Sequence, residues 1–242
     1  IALYNDYQML KIYQKLHHFC TQELGAFYLD VIKDRQYTTQ RDSVARRSAQ
    51  TALYHVLEAM TRWMAPILSF TAQEIWQALP VVDGSERDEF VFTNVWFDGL
   101  VHLADDAQFN NQFWNEILLV RSEVNKALEN ARKDKIVGKA LEAKVSLYVT
   151  QALADKLNAL ADELRFVLIT SAADVQVVEQ PPESAIETDI AGLWLMVSAS
   201  TGTKCERCWH HTEDVGQYEA HPSLCGRCVT NVDGEGELRK FA

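Results

Sequence analysis

Two Cys-x-x-Cys hooks, Cys205-Glu206-Arg207-Cys208 and Cys225-Gly226-Arg227-Cys228, stand sixteen residues apart near the end of the chain. No other feature limits the fold as tightly. Two residues between cysteines let one tight turn aim both sulfurs at one point, and two hooks at this spacing form the pattern of a tetrahedral zinc site. Gly226 suits such a turn because glycine takes positive φ without steric cost. Four thiolates close the coordination shell and leave no position for a catalytic water, so the site is expected to hold one structural zinc per chain through Cys205, Cys208, Cys225 and Cys228. The rival readings are two disulfides or four free thiols, and a long acidic chain is not the small secreted framework that disulfides staple. His210, His211 and His221 lie between the hooks and are the alternative ligands.

The chain has 242 residues, of which 48% are hydrophobic, enough for a sizeable core and comfortable for two or more domains. No run of about eighteen apolar residues appears, so no membrane span is expected. The first residues, Ile1-Ala2-Leu3-Tyr4-Asn5-Asp6, lack a basic start and an apolar core, so no signal peptide is expected. Reduced thiols then point to the cytoplasm. The opening already reads as helix, as in a piece of a longer protein. Net charge is −11, which argues against a general nucleic-acid coat. The charge is uneven, however. Residues 1–64 hold eight Lys or Arg against six Asp or Glu, a net of +2, and the remainder carries −13. Lys33, Arg35, Arg41, Arg46 and Arg47 face only Asp34 and Asp42 there. A protein that touches a polyanion while staying acidic overall concentrates its cations this way. On charge alone, a solvated helix face is the favoured account.

Hydrophobic periodicity predicts helices over residues 1–20, Thr21 to Asp34 and Arg41 to Met64, with Tyr37-Thr38-Thr39 as a loop. Pro66 ends or kinks the third of these. Thr71 and Glu74 have capping-box spacing for a short helix ending near Leu79-Pro80. Residues 81–99 read as an irregular crossover with a turn at Asp83-Gly84-Ser85. A strong helix follows from Asn110 to Asp134, with Phe113, Ile117, Val120, Val124, Leu128 and Ala131 on its buried stripe. Strands are expected at Lys144–Val149, Phe166–Ile169, Val175–Val178 and Leu193–Val197, and a helix from Ala152 to Leu164. Pro181 to Asp189 is a surface linker. Cys20 reads as a small buried hydrophobe, and His17-His18 as helix surface and core edge. The fold class is mainly α: an antiparallel helical bundle, a small α+β domain and a C-terminal zinc-binding module.

Several chemistries are missing. The chain has no G-x-x-x-x-G-K-[ST] phosphate loop, no G-x-G-x-x-G fingerprint and no G-x-S-x-G elbow. The residues by themselves describe something that binds.

Longer stretches carry more. Tyr28-Leu29-Asp30-Val31-Ile32-Lys33-Asp34-Arg35-Gln36-Tyr37 resembles the signature of the anticodon-binding helical domain shared by the isoleucine, valine and leucine class I aminoacyl-tRNA synthetases. Met64-Ala65-Pro66-Ile67-Leu68-Ser69-Phe70-Thr71-Ala72-Gln73-Glu74-Ile75-Trp76 resembles a second segment of that domain, with Gln73 where the family usually has an acid. Val124–Glu129 and Leu141-Glu142-Ala143 are similar to the junction domain that follows. The Cys-x-x-Cys-Trp and Cys-x-x-Cys ending is similar to the isoleucine branch; the valine enzyme typically ends in a coiled coil.

The resemblance covers essentially the whole chain and implies the C-terminal region of an isoleucyl-tRNA synthetase, with tRNA(Ile) as partner and a monomeric state. It implies residues 1–100 as the helical anticodon-binding domain, 101–200 as an α+β junction domain and 201–242 as the zinc module. The family's His-Ile-Gly-His and Lys-Met-Ser-Lys-Ser motifs do not occur in these residues. ATP and Mg²⁺ therefore belong to a catalytic domain outside them, and the residues alone are expected to be inactive. RNA contacts are implied at Lys33, Arg35, Arg41, Arg46, Arg47, Arg207, Trp209 and Arg227. Trp209 is open to two roles, stacking on an unpaired anticodon base or covering the metal cluster. The corresponding region of a valine or leucine enzyme, and a zinc module that binds a protein partner, are the other readings.

Overall fold

The computed structural model describes residues 1–82 and 86–241, so the expected turn at Asp83-Gly84-Ser85 lies outside the described residues. Helix α1 (Ala2–Asn5) ends before Tyr7, which takes a left-handed φ of 54°. Helix α2 (Met9–His18) then runs without a break through a π-helical stretch, Phe19–Tyr28, into α3 (Leu29–Thr38). The boundary expected at Thr21 is absent: the π-helical stretch carries the backbone through it, and its hydroxyl back-bonds to the carbonyl of His17 at 2.9 Å instead of capping a new helix. Gly25 fits the wide turn: a Cβ there would stand 2.8 Å from the carbonyl oxygen of Cys20. The rod ends four residues later than the sequence suggests, taking Tyr37 and Thr38 of the expected loop into the helix. The hydroxyls of Thr38 and Thr39 donate to the carbonyls of Asp34 and Arg35 at 2.8 and 2.6 Å, satisfying acceptors that a helix end leaves open.

Helix α4 (Val44–Met64) begins at Ser43, whose Oγ accepts from the Arg46 N–H at 3.2 Å, and stops just before Pro66 as the sequence requires. Helix α5 (Ser69–Ala78) starts two residues before Thr71, so Thr71 and Glu74 lie within it and do not cap it. Ala65, Ala72, Trp76, Leu79 and Val91 form a small core between α4, α5 and a 3₁₀ turn at Val91–Thr93. The Trp76 ring lies beneath the guanidinium groups of Arg62 and Arg87, at 4.7 and 4.2 Å, and both arginines pair with buried Glu58. Gln73 explains its departure from the family pattern. Its amide donates to the Glu89 carbonyl at 2.8 Å and accepts from the Val91 N–H at 3.0 Å, and a carboxylate can do only the second.

Helix α6 (Asn111–Lys133) is capped by Asn110, whose Oδ1 accepts from the Phe113 N–H at 2.9 Å. A four-stranded sheet follows: β1 (Ala143–Val149), β2 (Ala172–Val177), β3 (Ile186–Glu187) and β4 (Leu193–Ala199), in the order β2-β1-β4-β3. Strand β1 runs parallel to β2 and antiparallel to β4, with Leu147 opposite Leu195. Helix α7 (Gln151–Asn158) crosses between β1 and β2. The run Phe166–Ile169 is not a strand. Leu164–Leu168 form helix α8, closed by Ile169 at φ 57°. Phe166, Val167 and Leu168 are all buried, and a short apolar run of that kind has no period to separate helix from strand. The main core joins Ile117, Val120, Val124 and Leu128 of α6 to β1, α7, α8 and β4, and it also takes in Val31 of α3. The first rod therefore shares a core with the sheet. Beyond β4 come β5 (Thr203–Lys204), β6 (His211–Thr212) and α9 (Gly226–Asp233). Among the described residues no helix is long and apolar enough to cross a membrane.

Candidate metal centre and nucleic-acid face

The sulfurs of Cys205, Cys208, Cys225 and Cys228 are buried and all lie within 4.8 Å of one another. Zinc–thiolate bonds of about 2.3 Å require sulfurs about 3.8 Å apart on a tetrahedron. Cys208 and Cys225 stand at 3.7 Å, far beyond the roughly 2.05 Å of a disulfide, and all five cysteines are free. The Cys225 N–H donates to Cys205 Sγ at 3.4 Å, an outer contact that stabilises a thiolate. This donor set fits one zinc ion, which when bound ties the two hooks together and supplies no reactive chemistry. The left-handed turn does not fall at Gly226. It falls at Trp209, φ 66°, where the Trp209 N–H donates to the Cys205 carbonyl and the Cys205 N–H to the His210 carbonyl, both at 2.9 Å. Gly226 is needed for another reason: a Cβ there would collide with the Tyr218 hydroxyl.

None of the three histidines joins the cluster. His211 Nδ1 is 3.2 Å from the Gly202 carbonyl, His221 pairs with Asp233, and His210 stands edge-on to Phe166 with ring centroids 5.3 Å apart. Burial pushes the His210 imidazole down to about 4, so it is neutral. Val215 and Leu224 pack against the four cysteines, while Trp209 remains 60% exposed. The apolar cover of the cluster is thus supplied without the tryptophan. Cys20 is half-buried in an apolar groove with Tyr13, Leu16, Met64 and Leu68.

The seven cations among the eight residues considered for RNA fall into two groups. Arg41, Arg46 and Arg47 line a polar cleft of about 430 Å³ with Asp42 and Gln50, at the start of α4. Arg41 and Arg47 are exposed, and none of the three is in an ion pair among the described residues. The other cations are engaged within the chain. Lys33 pairs with Asp30 at 2.7 Å, and Arg35 donates to the Ala45 carbonyl at 3.5 Å. Arg207 donates to the carbonyls of Thr38 and Tyr37 at 3.0 and 3.4 Å. Arg227 grips Asp34 with two bonds, 2.7 and 2.8 Å, and Glu237 with one of 3.0 Å. Burial alone would raise the Asp34 pKa. The hydrogen bonds and charge of Arg227, with Arg239 beside it, outweigh burial and hold the carboxyl at about 2.

A separate cleft of about 520 Å³ is walled by Lys33, Tyr37, Phe166, Arg207, Trp209 and His210. Tyr37 is 77% exposed there, and the Lys204 ammonium lies 5.5 Å from the Trp209 ring centre. Sequence reasoning missed Tyr37, Asp34 and Arg239. The exposed Tyr37 beside a charged run was a readable signal; the ion pairs of Asp34 with residues some two hundred positions away left none.

A mainly helical body that carries a buried four-cysteine cluster defines a multidomain chain with a zinc-finger-type module. Residues 1–147 match the family model described as the anticodon-binding domain of tRNA ligase, and residues 202–231 match the zinc finger found in FPG and IleRS. The chain belongs to the anticodon-binding domain family of tRNA ligases. It is 60% identical to an isoleucine–tRNA ligase of Colwellia psychrerythraea, over all of this chain and 26% of that protein. It is likewise 60% identical to that of Pseudoalteromonas translucida and 57% to that of Vibrio campbellii, each over all of this chain and 25% of the relative. The chain thus spans about a quarter of the length of the curated relatives it matches.

Proposed function

We propose that these residues are the tRNA-reading C-terminal part of an isoleucine–tRNA ligase, a cytoplasmic, monomeric enzyme that attaches isoleucine to tRNA(Ile) with ATP. In this reading residues 1–100 are an antiparallel helical anticodon-binding domain, 101–200 a junction domain and 201–242 the zinc module. Catalysis, with ATP and Mg²⁺, resides in a domain outside the chain. Cys205, Cys208, Cys225 and Cys228 hold the zinc. Arg41, Arg46 and Arg47 meet backbone phosphates, which position an RNA without reading its sequence. Lys33 and Arg35 contribute charge along the same face, and Arg207 and Trp209 act from the zinc side, with Trp209 stacking on an unpaired anticodon base, while Arg227, held by Asp34, serves that side by position and not by contact.

The observation that carries this reading is the exposed Trp209 ring across a cleft from Tyr37, four residues before the unpaired Arg41. Four residues span no more than about 14 Å of chain, so stacking surface and cations serve one loop of RNA. Binding to a panel of tRNA transcripts tests it. Preference for tRNA(Ile) that weakens steeply with salt is expected, since phosphate contacts release counterions. Preference for a valine or leucine tRNA assigns the chain to another branch, and no preference among tRNAs leaves a protein-binding zinc module.

A further inference from the structure

Three distant parts of the chain meet on one carboxylate. Asp34 lies on the last turns of α3; Arg227 comes from the first turn of α9, between two of the clustered cysteines; Arg239 comes from the C-terminal segment, and its side chain is almost wholly buried. Glu237 pairs with Arg227 at 3.0 Å, stands 4.0 Å from Arg239, and also accepts from Asn231 at 2.9 Å. Two acids and two guanidinium groups thus neutralise one another away from solvent. The Arg239 guanidinium lies over Phe166, 3.7 Å from its centre, and Phe166 in turn meets His210, the residue after Trp209, in a T-shaped pair. The Lys240 and Phe241 N–H groups both donate to the Glu163 carboxylate at 2.7 Å, pinning the C-terminal segment to the sheet domain.

Arg227 is therefore committed to the interior of the chain. The Trp209 ring is exposed, so its place relative to α3 is fixed by how the module docks and not by packing of the ring itself. We propose that Asp34, Arg227 and Arg239 form a positioning cluster for RNA recognition: they set the Trp209 ring against the C-terminal end of α3 and touch no phosphate. This rests on the tRNA-reading function above.

The test uses the full-length protein and an unmodified tRNA(Ile) transcript. Asp34→Asn is expected to keep one zinc and its isoleucine activation, while tRNA affinity falls about tenfold, the scale of one lost base–aromatic stack. The KM for tRNA rises. The slope of log affinity against log salt stays unchanged, because no phosphate contact is removed. Trp209→Ala costs little more in the Asp34→Asn background, since the ring is already misplaced. Unchanged affinity in Asp34→Asn, or an undiminished Trp209→Ala effect on top of it, overturns the proposal. So does an Arg227→Ala variant whose salt slope drops by about one, the mark of a direct phosphate contact. If Asp34→Asn fails to fold, Arg239→Lys carries the same test: it keeps the charge and loses the planar fork, and unchanged tRNA affinity overturns the proposal. Failure of the wild type to bind any tRNA sinks the function itself and is told apart from these outcomes.

Discussion

Cys208 Sγ and Cys225 Sγ stand 3.7 Å apart, the spacing of two ligands on one tetrahedral zinc and not of a bond between them. Each belongs to a different hook, so the metal closes a loop of the chain. Structural zinc contributes about 10–16 kcal/mol of binding free energy in isolated finger peptides, and that energy is folding energy. Elemental analysis is expected to find one zinc per chain. A strong chelator should melt residues from about 200 onward while the α6–sheet core keeps its helical signal. Protein purified without chelator and free of metal would contradict the assignment.

Asp34 makes the docking of that module pH-dependent. Burial favours its neutral form, but the bonds and charges of Arg227 and Arg239 hold the folded pKa at about 2, below the ordinary value of about 3.9. A depressed folded pKa means the stabilisation is complete above the unfolded value and is lost as pH falls through the folded one. The shift corresponds to roughly 2–3 kcal/mol. Because thiolates also take up protons in acid, the clean quantity is the difference between wild type and Asp34→Asn. That difference in denaturant stability is expected to stay flat from pH 8 to 5 and to shrink below about 4. A difference that grows on acidification would refute the pairing.

Glu58 tests the other end of the molecule. Its buried carboxylate pairs with Arg62 and Arg87, whose guanidinium groups both lie over the Trp76 ring. Removing one partner of a buried ion pair strands the remaining charges and typically costs about 3–5 kcal/mol. Glu58→Ala is therefore expected to destabilise the α4–α5 core by about that amount in urea melts, whereas Glu58→Gln, which keeps hydrogen-bond acceptors, should lose less. Equal melting of Glu58→Ala and wild type would show the arginines to be satisfied elsewhere.

How much of this was written in the chain depends on distance along it. The metal hooks were legible because four ligands fall within two dozen residues, and α6 because its apolar stripe repeats over six turns. Phe166–Leu168 was misread as strand because a fully buried run has no exposed side to set its period. The break expected at Thr21 vanished into a π-helical turn, which apolar spacing at 3.6 residues does not encode. Arg207 and Arg227 read as RNA contacts because a cation in sequence shows no partner; Thr38 and Asp34 lie some 170 and 190 residues away. Arg239 and Glu237 were invisible for the same reason.

The 242 residues on their own should show no isoleucine-dependent ATP–pyrophosphate exchange, because neither nucleotide-binding motif of the synthetase family occurs among them. Exchange above a buffer blank would place an ATP site in this chain and overturn the division of labour proposed here.

The sharpest prediction concerns Trp209. The residue holds a left-handed backbone conformation at φ 66°, which costs a residue with a Cβ about 1–2 kcal/mol relative to glycine. The knuckle bonds of Cys205 maintain it, and the ring they present is 60% exposed instead of covering the sulfurs, where Val215 and Leu224 already pack. A large aromatic held rigidly in solvent gives up little entropy on binding, and a stacked base is worth about 1–3 kcal/mol by alanine substitution. Trp209→Ala in the full-length protein is therefore expected to retain its zinc and its isoleucine activation and to bind tRNA(Ile) about tenfold or more weakly. Trp209→Gly relieves the backbone and removes the ring, so it should match or exceed the wild-type module in resistance to chelation while showing the same loss of tRNA affinity. Loss of zinc in either variant would return Trp209 to a packing role, and unchanged tRNA affinity in both would end the stacking assignment.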